Sequence, residues 1–263
     1  MDSDPTEFGR KENSPTEGVQ ISRATGVADR KESGSCTDVC LPPPVSKQPS
    51  RVSQSCTENE AVRIMQQAGA CSRCFRSGFG VQATRFTIPK PRWIGERYWS
   101  SAPRVVVVLI NPGAGMDQSE EFHRQERVLF TEFHRTGDYA PIRDYFRRWR
   151  QYDELFSWYT NNFGIGFEDR SQINIAWCAT QDNKYPSGML QNCFEHYTGP
   201  LLAALQPHAV LLSGSAAHGF ESRIRQTIPD VRTLCILHYA HRESREREVK
   251  EGEEVRAWLA RLK

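Results

Sequence analysis

The stretch "RVVVVLINPGAGM" ends an apolar run on Asn111-Pro112-Gly113, three residues whose types could together handle a ligand. Proline fixes φ, and glycine lets backbone N–H groups approach a bound molecule closely. The asparagine amide is neutral and can orient a water molecule through its oxygen, although it could equally cap the turn. Three further polar groups stand at the ends of expected strands: Asn174 in "SQINIAWC", Gly214-Ser215 in "HAVLLSGSAA" and His238 in "RTLCILHYAHRES". Singly, each has a plain alternative, Asn174 as a strand-end amide and His238 as a satisfied buried histidine. Phe122 could stack on a flat ligand or simply fill core. Their common placement, each at the end of an expected strand, is the main internal clue to function.

Eight cysteines are many for a reducing compartment, where thiols bind metal or act in catalysis more often than they form disulfides. Cys71-x-x-Cys74 is a close pair, whereas Cys178 and Cys193 are far apart, unlike the two tight knuckles of a zinc ribbon. Cys36, Cys40 and Cys56 fall in a polar segment and are read as incidental thiols. Three familiar chemistries are excluded by pattern. "GAGMDQ" lacks the third glycine of a dinucleotide fingerprint, and no Gly-Lys-Ser/Thr follows to make a phosphate loop. "SGSAAHG" sets Ser215 directly after Gly214, which does not fit the Gly-x-Ser-x-Gly nucleophile elbow.

These groups need a scaffold. The 263 residues carry 38% apolar and 25% charged side chains with a net charge of +2, which suits one sizeable globular domain plus a tail. That near-neutral balance says little about partners. No apolar run approaches a membrane span and the start has no signal-like apolar stretch, so an intracellular protein, cytoplasmic or in the nucleoid or nucleus, with no membrane partner is expected. Residues 1–57 are rich in Ser, Thr, Pro, Gly and charge, with too little apolar surface to offset ordering, so a disordered tail is expected there and a folded domain over 58–263.

Within that domain, "ENEAVRIMQQAGACSRC" reads as a short helix running into the Cys-x-x-Cys turn. "EFHRQERVLFTEFHRTG" reads as a helix with Phe122, Val128, Leu129 and Phe133 on its apolar face. "APIRDYFRRWRQYDELFSWYTNNF" is helical, basic in its middle and aromatic throughout. Its Arg143, Arg147, Arg148 and Arg150 suit either phosphate contact or a solvated helix face. "LQNCFEHYTGPLLAALQP" reads as a helix broken near Gly199-Pro200, and a charged helix closes the chain. Strands alternating with helices predict an α/β fold: three layers, α/β/α, around a central, mainly parallel four-stranded sheet. Ligands of such sheets bind at the carboxyl ends of the strands.

Asn111-Pro112-Gly113 at the end of a hydrophobic strand resembles motif one of the mismatch-type and single-strand-selective branches of the uracil-DNA glycosylase superfamily. The resemblance extends over roughly Cys71 to Ser244. Phe122 lies where the iron–sulphur branch has a phenylalanine that stacks on uracil, and Asn174, four residues before Cys178, where it has an asparagine that reads the uracil edge. "LLSGSAA" resembles a strand end of that branch, and His238 takes the histidine position of its His-Pro-Ser motif. The resemblance implies that Cys71, Cys74, Cys178 and Cys193 hold a [4Fe–4S] cluster, with zinc as the alternative for four thiolates. It further implies excision of uracil or a related deaminated base from DNA, single-stranded or duplex, by a monomer. Asn111 would position water, His238 would stabilise the departing base, and Gly113, Gly214, Ser215 and Arg242 would help grip the substrate. The chain departs from the iron–sulphur branch at Ile110, where that branch is acidic, and at Tyr239 and Ala240, where it has Pro and Ser. A non-catalytic nucleic-acid-binding module of the same fold is the competing expectation.

Overall fold

A computed structural model of the chain describes residues 54–84, 87–112, 119–149, 154–240 and 244–262. Gly113, Arg150 and Arg242, and the expected tail as far as residue 53, lie outside the described residues. The chain forms five strands: β1 (Trp93–Ile94), β2 (Val105–Leu109), β3 (Arg170–Asn174), β4 (Ala209–Ser213) and β5 (Arg232–Ile236). They form one mixed sheet in the order β1-β3-β2-β4-β5. The last four are parallel, with β2 between β3 and β4, and β1 runs antiparallel along β3. The sheet therefore has five strands where four were expected. A two-residue strand shows no period in sequence, and β1 exists because Trp93 and Ile94 pair with Gln172 and Ser171.

The helices are α1 (Gln54–Ala68), α2 (Arg73–Arg76), α3 (Glu120–Thr136), α4 (Ala140–Trp149), α5 (Glu154–Phe163), α6 (Ser187–Cys193), α7 (Gly199–Leu205), α8 (Ser215–His218), α9 (Glu221–Thr227) and α10 (Arg245–Ala260). They cover both faces of the sheet, because alternate strand residues point opposite ways. Val106, Val108, Val210 and Leu212 join Ala61, Ile64 and Met65 of α1 and Leu201, Leu202 and Leu205 of α7 in one core. Val105, Val107, Leu109 and Leu211 face the other way, onto Tyr159 and Phe163 of α5 and Val255 and Leu259 of α10. All five residues of β2 are buried as a result, which explains its unbroken apolar run.

Local expectations are corrected at three places. Helix α1 starts at Gln54 and buries Thr57, so the folded part begins before the expected boundary at 58. The helix through Gly199-Pro200 is not broken, since Phe194–Thr198 form a π turn between α6 and α7. A wider turn there accommodates a proline that has no N–H to donate and whose ring crowds the preceding turn. Val128 is 62% exposed and not on the core face of α3, whereas His123 and Glu126 are buried there. Helix α3 otherwise follows its local code. The Ser119 hydroxyl accepts from Phe122 N–H at 3.2 Å, and Gly137 closes the helix at φ +75°.

Gly95 joins β1 to the segment before β3, donating its N–H to Arg170 O at 3.0 Å. A Cβ at this position would lie 2.2 Å from the Glu168 backbone oxygen, which no side-chain rotation relieves. Gly95→Ala is expected to lower stability by about 1–3 kcal/mol, the usual cost of overpacking. Urea unfolding checks this, and an unchanged midpoint would mean that the Glu168 backbone yields freely.

Candidate functional site

Parallel pairing brings the carboxyl ends of β3, β2, β4 and β5 to one edge. Leu109 pairs with Asn174, and Ser213 with Ile236, so Asn111, Asn174, Gly214-Ser215 and His238 all stand within two residues of that edge. A crevice of about 320 Å³ opens there, lined among others by Ile110, Ser213, Gly214, Ser215, His218 and His238. Asn174 and Phe122 are not among its lining residues.

His238 is held from both sides of its chain. Tyr159 Oη donates to Ser213 Oγ at 2.9 Å, Ser213 Oγ donates to Leu237 O at 3.2 Å, and Glu251 Oε1 accepts from Leu237 N–H at 2.7 Å. Ala240 N–H donates to His238 Nδ1 at 3.2 Å, which leaves the proton of the neutral ring on Nε2. Gly214, at φ +89°, allows this: a Cβ there would lie 3.2 Å from His238 Cβ. The Gly214 N–H itself donates to Ile236 O at 3.0 Å and so is engaged at the sheet edge. Ser215 opens α8 and is exposed.

Asn111 is anchored by a loop that pattern reading passed over. Its Nδ2 donates to Asn183 Oδ1 at 2.7 Å, and the side chain lies close enough to Tyr185 to act on its hydroxyl. Asn183 takes φ +56°, the left-handed conformation asparagine tolerates. The backbone oxygen of Asn174 accepts from Thr198 Oγ1 at 3.1 Å, while its half-buried amide has no hydrogen-bond partner among the described residues. Phe122 sits edge-on to His123, ring centroids 5.7 Å apart, and near Tyr145 at 6.5 Å. Behind it lies a buried polar cluster that sequence reading missed. His123 Nδ1 is 3.3 Å from Glu126 Oε2, Tyr145 Oη donates to Glu126, and Lys90 Nζ is 3.4 Å from the same carboxylate. Three-residue spacing on one helix face was the available signal, masked by the charged residues around it.

The basic segment is described as far as Trp149. Arg143 is paired with Glu58, and Arg147 bonds Glu168 at 3.0 Å and Glu96 at 2.6 Å. Phe146 packs on Trp93, and Tyr145 on Phe130. Arg143 thus ties α4 to α1, Arg147 ties it to the chain beside β1 and β3, and Arg148 is described without such a pairing.

Away from the crevice, Cys71, Cys74, Cys178 and Cys193 line one small cavity with Phe75, Trp177 and Tyr197. All four are free thiols, three of them buried, and Cys74 Sγ lies 4.0 Å from Cys193 Sγ. Hydrogen bonding from Cys193 draws the Cys74 thiol down, and burial pushes Cys178 up to about 12. Among the described residues no three His, Cys, Asp or Glu side chains already stand together at metal-binding distance. Convergence on one cavity nonetheless fits a centre bound by four thiolates, iron–sulphur or zinc. No protein-family model and no curated protein sequence matches the chain.

Proposed function

We propose that the chain is a DNA glycosylase of the uracil-DNA glycosylase superfamily, hydrolysing the N-glycosidic bond of uracil or a related deaminated base during base-excision repair. The supporting observation is the common sheet edge of Asn111, Asn174, Gly214 and His238, which follow one another along the chain in the order the resemblance requires. The α/β sheet covered on both faces agrees with that superfamily's layered fold. No helix among the described residues is long and apolar enough to cross a membrane, and DNA would be the partner of a monomer acting in the cytoplasm, nucleoid or nucleus.

An enzyme acting on a base must take it out of the stack and hold it by edge hydrogen bonds and a stacking face. Asn174, with its amide unengaged, would read the edge by accepting from uracil N3–H and donating to O4. Phe122 would supply the face. Cleavage develops negative charge on the departing uracil, and a preorganised donor aimed at that charge lowers the barrier. His238 Nε2–H would be that donor. Asn111, its nitrogen occupied by Asn183, would hold the attacking water through its oxygen. Cys71, Cys74, Cys178 and Cys193 would hold a [4Fe–4S] cluster, or zinc, that clamps α2 to α6.

Single-turnover assays on oligonucleotides carrying uracil unpaired, opposite guanine or opposite adenine, or carrying hypoxanthine, test the proposal. Asn174→Asp exchanges the amide donor for a carboxylate that cannot donate to O4 unless protonated. Excision of uracil should fall about five- to 150-fold, matching the roughly 1–3 kcal/mol lost when a buried polar partner goes unmatched. Tight binding of every substrate with no excision would instead favour the non-catalytic module, a reading supported by the apolar Ile110 in the crevice wall.

A further inference from the structure

The loop before β1 carries a charge that the glycosylase mechanism does not use. Arg92 is 4% exposed, and its guanidinium lies over the Trp177 ring, 4.6 Å from the centroid. One terminal nitrogen donates to Ala176 O at 2.8 Å, while the buried Nε has no hydrogen-bond partner. No carboxylate forms an ion pair with it among the described residues. A buried cation without an anion is strongly unfavourable, and arginine cannot escape by losing its proton. Burial lowers Arg92 only to about 10, so the group stays charged at neutral pH.

Trp177, on which the guanidinium lies, is a wall of the four-cysteine cavity and directly precedes Cys178. Of the groups that could carry a negative charge, Cys193 and Cys178 act most on Arg92, followed by Tyr185. As neutral thiols they leave the cation uncompensated. As metal-bound thiolates they compensate it, and four of them around Zn²⁺ carry a net charge that needs a cation in return. We infer that Arg92 is the built-in countercharge of a tetrathiolate metal centre, lying behind the Trp177 wall and stabilising the bound state over the stripped one. The inference rests on the proposal that the four cysteines hold a metal.

The sign of its effect distinguishes it from ordinary packing. Methionine resembles the arginine stem in shape and carries no charge. With metal bound, Arg92→Met removes the countercharge, so the variant should melt below the wild type. After stripping by chelator, the same change removes an uncompensated buried charge, so the variant should melt at or above the stripped wild type. Metal release to excess chelator should be about 10–100-fold faster in Arg92→Met, the usual effect of losing an outer partner of a metal site. Arg92→Lys, which keeps the charge, should release metal more slowly than Arg92→Met. If Arg92→Met fails to fold, the release rates of Arg92→Lys and Arg92→Gln decide the matter, since only the lysine keeps the charge. Elemental analysis of the full-length wild type comes first and reports iron or zinc. A wild type with neither metal overturns the four-cysteine centre itself. A metal-loaded wild type whose Arg92→Met variant releases metal at the same rate, with the same melting order in both states, overturns the role of Arg92 alone.

Discussion

His238→Ala should slow single-turnover excision of uracil by about 10²–10³-fold, the usual cost of deleting one preorganised donor to a developing negative charge. The expectation comes from the way the ring is fixed. Ala240 N–H occupies Nδ1, so in the neutral imidazole the remaining proton sits on Nε2. Ser213 and Glu251 hold the Leu237 backbone on either side, and Gly214 admits the ring without a Cβ in the way. Such a donor acts mainly when charge forms on the leaving base, so binding to DNA with a non-cleavable uracil analogue should change little. His238→Gln retains an N–H group on a different stem and should recover part of the rate. Equal losses of binding and rate in His238→Ala would mean that the histidine only supports the loop, and the assigned role would be wrong. Asn111→Ala makes a useful comparison. Its nitrogen is tied to Asn183, so that substitution removes the oxygen proposed to hold water and also loosens the loop that carries Asn183.

Strands β2 and β4 were legible because a parallel strand covered on both faces is apolar along most of its length. Val105–Leu109 and Ala209–Ser213 show this directly, and their ends located the edge where Asn111 and Gly214 stand. What stayed hidden was set by contacts between segments distant in sequence. Trp93 and Ile94 carry no local strand signal and are ordered by β3 and by Phe167, which stacks on Trp93 at 4.0 Å. The Asn183 and Tyr185 anchors for Asn111 lie over 70 residues away, and only folding brings them into contact. His123, Glu126 and Arg92 are charged or titratable residues that periodicity assigns to the surface, yet each is buried. Polar burial of this kind is invisible to hydrophobic patterning, because its compensation comes from partners rather than from residue type. Arg143 and Arg147 show the converse. Their clustering suited either phosphate contact or a solvated helix face, and their partners Glu58, Glu96 and Glu168 are acidic residues of this same chain.

The four cysteines lead to the other large effect. Cys193→Ala should abolish stoichiometric metal binding and lower the melting temperature by roughly 8–16 °C. The figure follows from a ligand present at about 1,000 times its dissociation constant, worth about 4.1 kcal/mol, with roughly 2–4 °C per kcal/mol in a domain of this size. Cys193 closes α6, and Cys74 belongs to α2, so a shared metal would join segments more than a hundred residues apart. A metal shared by these cysteines would hold α2, a four-residue helix without a side-chain cap bond that docks through Cys74 and Phe75. Cys71→Ala should behave in the same way for the same reason. Cys235 serves as the control, being exposed on β5 and 4.0 Å from Glu221 rather than near another thiol. Cys235→Ala should leave metal content unchanged and stability within about 0.5 kcal/mol of the wild type, as surface substitutions usually do. Differential scanning calorimetry and elemental analysis of the same samples separate the cases. A Cys193→Ala protein that melts within a few degrees of the wild type, with no metal in either, would make these four cysteines a packed cluster of thiols and nothing more.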